Sequence, residues 1–233
     1  MDFIDRMREL AGRAEKQLPH CETEEATKNA LTLPFIIALG YDVFNPTEVL
    51  PEFTADVAGI KKGEKVDYAI LKEKVPLIIF ECKRAGTDLS QVHASQLYRY
   101  FASVPGVRFG ILTNGIDYRF YSDLDALNLM DDKPFFEFSI LDIQERHVIE
   151  LQKFTKPSFN LDEILTTAND LKYTAAIQKL IAKEFESPSD GLARFFAKQV
   201  YTGVLTQPVR EHFRELTKTS LIRFLNDSIN ERL

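Results

Sequence analysis

Three side chains carry the chemistry this sequence could do: Asp67, Glu81 and Lys83. Residues 75–83 form an apolar run rich in branched and aromatic side chains that ends in Glu81-Cys82-Lys83. Such a run suits a buried strand. Strand side chains alternate faces, so Glu81 and Lys83 share a side about 7 Å apart, while Ile78, Phe80 and Cys82 face the other way. Upstream, residues 65–71 form a second run that carries Asp67, and only Lys72-Glu73-Lys74 separates the two, as in a hairpin. Pairing of that kind brings Asp67 toward Glu81. A phosphodiester resists attack because its negative charge repels nucleophiles, so hydrolysis needs a cation on the phosphoryl oxygens and an activated water. Mg2+ takes oxygen ligands, commonly one or two carboxylates with waters and substrate. Asp67 and Glu81 supply such carboxylates, with the Cys82 carbonyl as a third candidate ligand. Lys83 is placed to orient the water or offset transition-state charge. The bland alternative is a stabilising Glu81–Lys83 ion pair.

The elements that must position these residues are legible in the pattern. Apolar residues at helical spacing mark a helix over 2–18. Thr23 is an N-cap for a second helix through Leu39, with Glu24 and Glu25 in its first turn, Pro34 marking a kink near Leu33, and Gly40 as its stop. Residues 41–44 and 47–50 read as a strand interrupted at Asn45-Pro46. Residues 54–60 and 65–71 read as a hairpin across a turn at 61–64, and the strand ending at Lys83 completes a meander. A helix over 89–103, a strand over 107–113, a two-residue turn at Asn114-Gly115 and a strand over 117–121 follow. Residues 135–140 suit a further strand and 142–151 a helix. Thr155-Lys156-Pro157-Ser158 marks the expected boundary between a domain over 1–154 and a helical region over 155–233, whose stripes are expected to bury Phe195, Phe196, Leu221 and Phe224. The fold class is α/β, a mixed central sheet flanked by helices, with an α-helical C-terminal region.

The chain has 233 residues, a net charge of −6, eighteen Phe and no Trp, a composition that speaks for a packed core and against disorder. Lys and Arg outnumber Asp and Glu over residues 60–122, the part that holds Asp67, Glu81 and Lys83. Local potential guides a polyanion more than net charge does, which makes Lys62 and Lys65 candidate nucleic-acid contacts, although a solvated lysine-rich hairpin has the same composition. Two cysteines and four scattered histidines give neither a disulfide framework nor metal-ligand spacing. No apolar run approaches the roughly 20 residues of a membrane span, and residues 1–6 lack signal-peptide order, so a cytoplasmic protein without a membrane partner is expected.

Asp67, thirteen intervening residues and then Glu81-Cys82-Lys83 resemble the signature of the PD-(D/E)xK nuclease superfamily. More narrowly, Thr23-Glu24-Glu25-Ala26-Thr27, residues 39–46, Val66-Asp67-Tyr68-Ala69-Ile70, and Thr113-Asn114-Gly115 followed by residues 118–121 resemble the N-terminal nuclease domain of the type I restriction enzyme R subunit. Val66 stands where the superfamily's name has proline. No Walker A loop appears, so the helicase motor of that subunit is expected to be absent. The resemblance implies a restriction-endonuclease-like core, with Asp67 and Glu81 as metal ligands, Lys83 as the catalytic lysine and Glu25, or else Glu24, completing the metal shell. Gln96 and Tyr100 fit a Gln-x-x-x-Tyr motif that positions DNA or the metal shell. What it implies as activity is Mg2+-dependent endonucleolytic hydrolysis of DNA, with Mn2+ as a substitute and a restriction-system protein or a second copy as partner. The rival is a non-catalytic DNA-binding or assembly module that keeps the fold; an RNA-directed nuclease is a third reading.

Overall fold

The computed structural model describes residues 2–55, 63–92 and 94–231. The first helix, α1 (Phe3–Gln17), is capped by the Asp2 carboxylate, which accepts from the Phe3 N–H at 2.6 Å. It buries Phe3, Met7, Leu10 and Ala14, the single stripe its spacing dictates. Thr23 caps α2 (Glu24–Thr27), accepting from the Ala26 N–H as the sequence suggests. At Pro34 the outcome differs from the expected kink. The helix widens into a π turn over Lys28–Thr32 and continues as α3 (Leu33–Ala38). Pro34 has no N–H to give, and its ring crowds the carbonyl four residues back; a wider turn just before it relieves that crowding.

Residues 41–48 form turns rather than strand. Asp42 accepts from the Phe44 N–H and Asn45 from the Thr47 N–H, local bonds that compete with strand pairing ahead of Pro46. The antiparallel partner of β2 (Val66–Lys72) on this side is β1 (Val49–Phe53). Thr54 and Ala55 lie outside any strand, and residues 56–62, Lys62 among them, lie outside the described residues. β2 turns through Glu73 and Lys74, both at positive φ, into β3 (Val75–Cys82). The expected helix over 89–103 is shorter. A 3-10 turn at Leu89–Gln91 is capped by Asp88, Val92 is extended, and α4 runs over Ser95–Ser103.

α4 carries the chain across to β4 (Phe109–Thr113), which pairs with β3 in parallel; every other pairing is antiparallel. With β5 (Asp117–Tyr121) and β6 (Phe136–Ser139) the strands form one mixed sheet in sequence order, β3 and β4 at its centre. The fold is α/β, as expected. Alternation along β3 separates two cores: Ile78, Phe80 and Cys82 pack in one, and Ile79 in the other with Leu97, Tyr100 and Phe101 of α4. Full burial of each such apolar side chain contributes about 1.5–3 kcal/mol.

The first core also takes Val148 and Leu151 of α5 (Glu145–Gln152), and Ile164 and Ala168 from the start of α6 (Leu161–Glu186). The chain divides into compact units over 1–172 and 173–233, so the opening turns of α6 belong with the first unit. In the second unit α7 (Asp190–Val200) buries Ala193 and Ala197, and α8 (Gln207–Asn230) buries Thr217. The expected burial of Phe195, Phe196 and Phe224 is not observed; all three are exposed, and Leu221 is partly buried. Small residues, not the aromatic stripe, form the buried face of α7. No helix among the described residues is long and apolar enough to cross a membrane.

The β4–β5 connection is wider than a two-residue turn, because Asn114 Oδ1 accepts from both the Ile116 and Asp117 N–H groups. Gly115 in this loop has φ +82°, and a Cβ there would lie 2.7 Å from Leu31 Cβ and 2.9 Å from Thr27 Cγ2. The loop thus rests directly on the helix that carries Glu25 and Lys28. Gly115→Ala is expected to destabilise the protein by about 2 kcal/mol or more, through backbone strain and overpacking together. Urea unfolding followed by circular dichroism checks this; an unshifted midpoint would dismiss the close approach.

Candidate active site

Residues Glu64 and Lys65 lead into β2, and α4 clamps them. Gln96 Nε2 donates to the Lys65 carbonyl, and the Arg99 guanidinium pairs with the Glu64 carboxylate. The Tyr100 hydroxyl lies 2.8 Å from the Glu64 carbonyl and 3.1 Å from that of Phe53. Tyr100 is fully buried. It therefore tethers α4 to the residues flanking β1 and β2. Gln96 has its amide on the same backbone. Lys65 pairs at 2.6 Å with Glu52 on β1 and is exposed.

The clamp fixes where Asp67 falls. Tyr68 pairs with Phe80 and Ala69 with Ile79, and one further step of that register sets Asp67 across from Glu81. Asp67 Oδ2 accepts from the Cys82 N–H at 2.7 Å, and Oδ1 from Lys28 Nζ at 3.0 Å. Lys28 Nζ also lies 2.8 Å from Glu25 Oε2. Glu81 Oε1 accepts from Lys83 Nζ at 2.6 Å. Glu81 Oε2 is buried and has no hydrogen-bond partner among the described residues. α2 is docked over this group by Thr27, whose Oγ1 accepts from the Ala85 N–H at 2.9 Å just past Lys83. Asp67, Glu81 and Lys83 are thus brought together, with Glu25 above Asp67 and Glu24 close enough to act electrostatically on both Glu81 and Lys83.

The charges are strained by burial. The Glu81 side chain is only 8% exposed. Burial pushes its carboxyl from the ordinary 4.5 up to about 7, against the hydrogen bond and charge of Lys83; the charges of Asp67 and Glu24 push the same way as burial. For Lys83, burial opposes the charge, but the hydrogen bond and charge of Glu81 outweigh it and hold the ammonium above the ordinary lysine range. Lys28 follows the same balance, raised by Glu25 and Asp67 against burial. Burial also lifts the Cys82 thiol well above its ordinary range. Cys82 is a packed core side chain, and its backbone N–H is engaged by Asp67.

Among the described residues no group of three or more His, Cys, Asp and Glu side chains forms a ready-made metal cage. Lys83 pairs with Glu81, and Lys28 pairs with both Asp67 and Glu25. The donor set nevertheless fits a hard divalent cation. An unpartnered, buried carboxylate oxygen at Glu81 facing a second carboxylate calls for positive charge beyond what Lys83 provides. A cleft of about 350 Å3 lined by Tyr41, Glu48, Ile70, Lys72 and Phe159 lies toward the far ends of β2 and β3 and shares no side chain with this group.

Sequence reasoning missed Lys28 and the Arg99–Glu64 pair. Lys28 looks in sequence like an ordinary i,i+3 partner of Glu25, and only the docking of α2 shows that it also reaches Asp67.

Glu81 gives the site a pH signature. Since its folded pKa of about 7 lies above 4.5, its charge costs nothing below pH 4.5 and the full amount above pH 7. The cost is on the order of 3 kcal/mol at about 1.4 kcal/mol per unit. In chelator, the stability of wild type relative to Glu81→Gln is therefore expected to fall by roughly that amount between pH 4.5 and pH 8. Denaturant midpoints at both pH values measure it, and a pH-independent difference would contradict the buried-carboxylate account.

Comparison with known proteins adds one result. No curated protein and no solved structure gives a match to the chain. The helices that carry Glu25 and Lys28 lie outside the segment that matches a family model. Residues 55–128, which hold β2, β3, α4, β4 and β5 together with Asp67, Glu81 and Lys83, match the type I restriction enzyme R protein N terminus, a PD-(D/E)xK nuclease-like domain.

Proposed function

We propose that this chain is a Mg2+-dependent deoxyribonuclease that cleaves DNA endonucleolytically, with Mn2+ as a substitute metal. The observation that supports this most is the buried, unpartnered Oε2 of Glu81 beside Lys83 and opposite Asp67. Asp67 and Glu81 are the residues to hold the metal, with Glu25 or Glu24 at its outer side and the Cys82 carbonyl as a backbone ligand. The bound cation offsets charge on the phosphoryl oxygens and lowers the pKa of water. Lys83 then contributes a fixed positive charge and a donor beside the reacting phosphate. Gln96, Arg99 and Tyr100 keep Asp67 in register by holding Glu64 and Lys65 just before β2. Lys65 and Lys62 are the proposed contacts to the DNA backbone. The proposed setting is the cytoplasm, with a restriction-system protein or a second copy as partner.

One observation favours a second reading. Among the described residues every acid of the site has a lysine ion-pair partner except Glu24, so the group also makes sense as an ion-pair network in a non-catalytic DNA-binding module. Incubation with plasmid DNA, single-stranded DNA and RNA in Mg2+, Mn2+ or chelator separates the readings. Metal-dependent cleavage of DNA is expected, and DNA binding without cleavage in either metal would favour the module.

Glu81→Ala and Lys83→Ala are each expected to lower cleavage about 100-fold or more, for different reasons. Glu81→Ala removes an anionic ligand and weakens metal binding. Lys83→Ala leaves metal affinity equal or slightly tighter, since it removes a positive charge that opposes a cation. Calorimetric Mg2+ titration of variants shown by thermal unfolding to be folded gives the comparison. Equal loss of affinity in both, or unimpaired cleavage in either, is incompatible with these roles.

A further inference from the structure

We propose that Lys28 is a built-in counter-cation of the metal site, an ammonium that occupies the gap between Glu25 and Asp67 and is displaced when a divalent cation loads. The inference rests on the metal-dependent reading of the site given above. Lys28 Nζ lies 2.8 Å from Glu25 Oε2 and 3.0 Å from Asp67 Oδ1, so one cation bridges two acids from separate elements. Its side chain is only 13% exposed, whereas Glu25 is 69% exposed and open to solvent on its other side. A buried ammonium persists where its charge is needed. Here it offsets the charge of Asp67, whose other oxygen accepts only from the neutral Cys82 N–H and which acts electrostatically on the buried Glu81 carboxylate.

The backbone indicates that this placement is specific. Lys28 is the first residue of the π turn Lys28–Thr32, and the residue before it, Thr27, anchors the helix to Ala85 at the exit of β3. π turns inside helices are uncommon and concentrate at functional sites. Lys28 is thereby fixed at its backbone, while its four-carbon stem stays free to swing.

A divalent cation held by Asp67 would compete with the ammonium for the same carboxylate, and the two positive charges would repel. Lys28 gives way on loading, and the contacts it loses are subtracted from the affinity for metal. Without metal, the same contacts hold α2 against β2 and keep the acids from repelling one another.

The test measures Mg2+ and Mn2+ binding by calorimetry, and thermal unfolding in chelator and in saturating metal, for wild type, Lys28→Gln and Lys28→Arg. Lys28→Gln is expected to bind metal about tenfold tighter than wild type, in the range of ordinary coupling between sites. It should also unfold at a lower temperature in chelator and gain more from metal. Lys28→Arg keeps the charge and should stay near wild type. If Lys28→Gln is not folded in chelator, Lys28→Met carries the same expectation. Binding by wild type with equal or weaker binding by the neutral variants overturns the role of Lys28 and leaves the metal site standing. No binding by any of the proteins overturns both. Binding by the neutral variants alone supports the displaced ammonium in its strongest form.

Discussion

Asp67 accepts from the Cys82 backbone on one oxygen and from the Lys28 ammonium on the other, and these two bonds join three segments far apart in the chain. The first bond ties β2 to the end of β3 in addition to the ladder. The second brings in the helix around residues 24–38. Because a carboxylate is directional at both oxygens, its position fixes the distance between strand and helix. The rest of the site is arranged around that fixed point. Glu81 lies one register step across, Lys83 lies two residues further along the same face, and Thr27 secures the helix to the chain just beyond.

The register that delivers Asp67 is itself maintained by α4, which packs on the sheet face that holds Ile79. α4 uses its buried side, Leu97, Tyr100 and Phe101, to fill the second core, and its polar groups to hold Glu64 and Lys65. A one-residue slip of β2 would send Asp67 to the wrong face and strand the Tyr100 hydroxyl without its carbonyls. Gln96, Arg99 and Tyr100 therefore act together on the two residues that lead into β2.

The strand core was legible in the sequence because its signals are local and redundant. Apolar runs, the Lys72–Lys74 turn and the alternation around Glu81 all agree on one hairpin. The same holds for the Thr23 cap and the stripe of α1. What escaped depends on competition or on distance. Residues 41–48 have strand-like composition, but their Asp and Asn side chains bond the backbone first. The stripe through Phe195 and Phe196 has helical spacing, yet Ala193 and Ala197 allow closer helix approach and take the buried side. Lys28 could be seen only by knowing which strand its helix covers.

Pro34 shows how such a long-range fact is nonetheless written locally. An unbroken α-helix from Thr23 to Leu39 would place a Pro ring against the carbonyl of Ala30, at a cost of about 3 kcal/mol or more. The π turn relieves this by inserting extra backbone, with the Leu33 N–H bonding to the Lys28 carbonyl. The inserted turn rotates everything N-terminal to it relative to α3, whose Phe35 and Ile36 are fully buried and cannot rotate. The rotation must therefore appear at Glu24, Glu25 and Lys28. A proline that reads as a kink in the sequence thus sets which face of α2 meets Asp67, and with it the charge balance of the site.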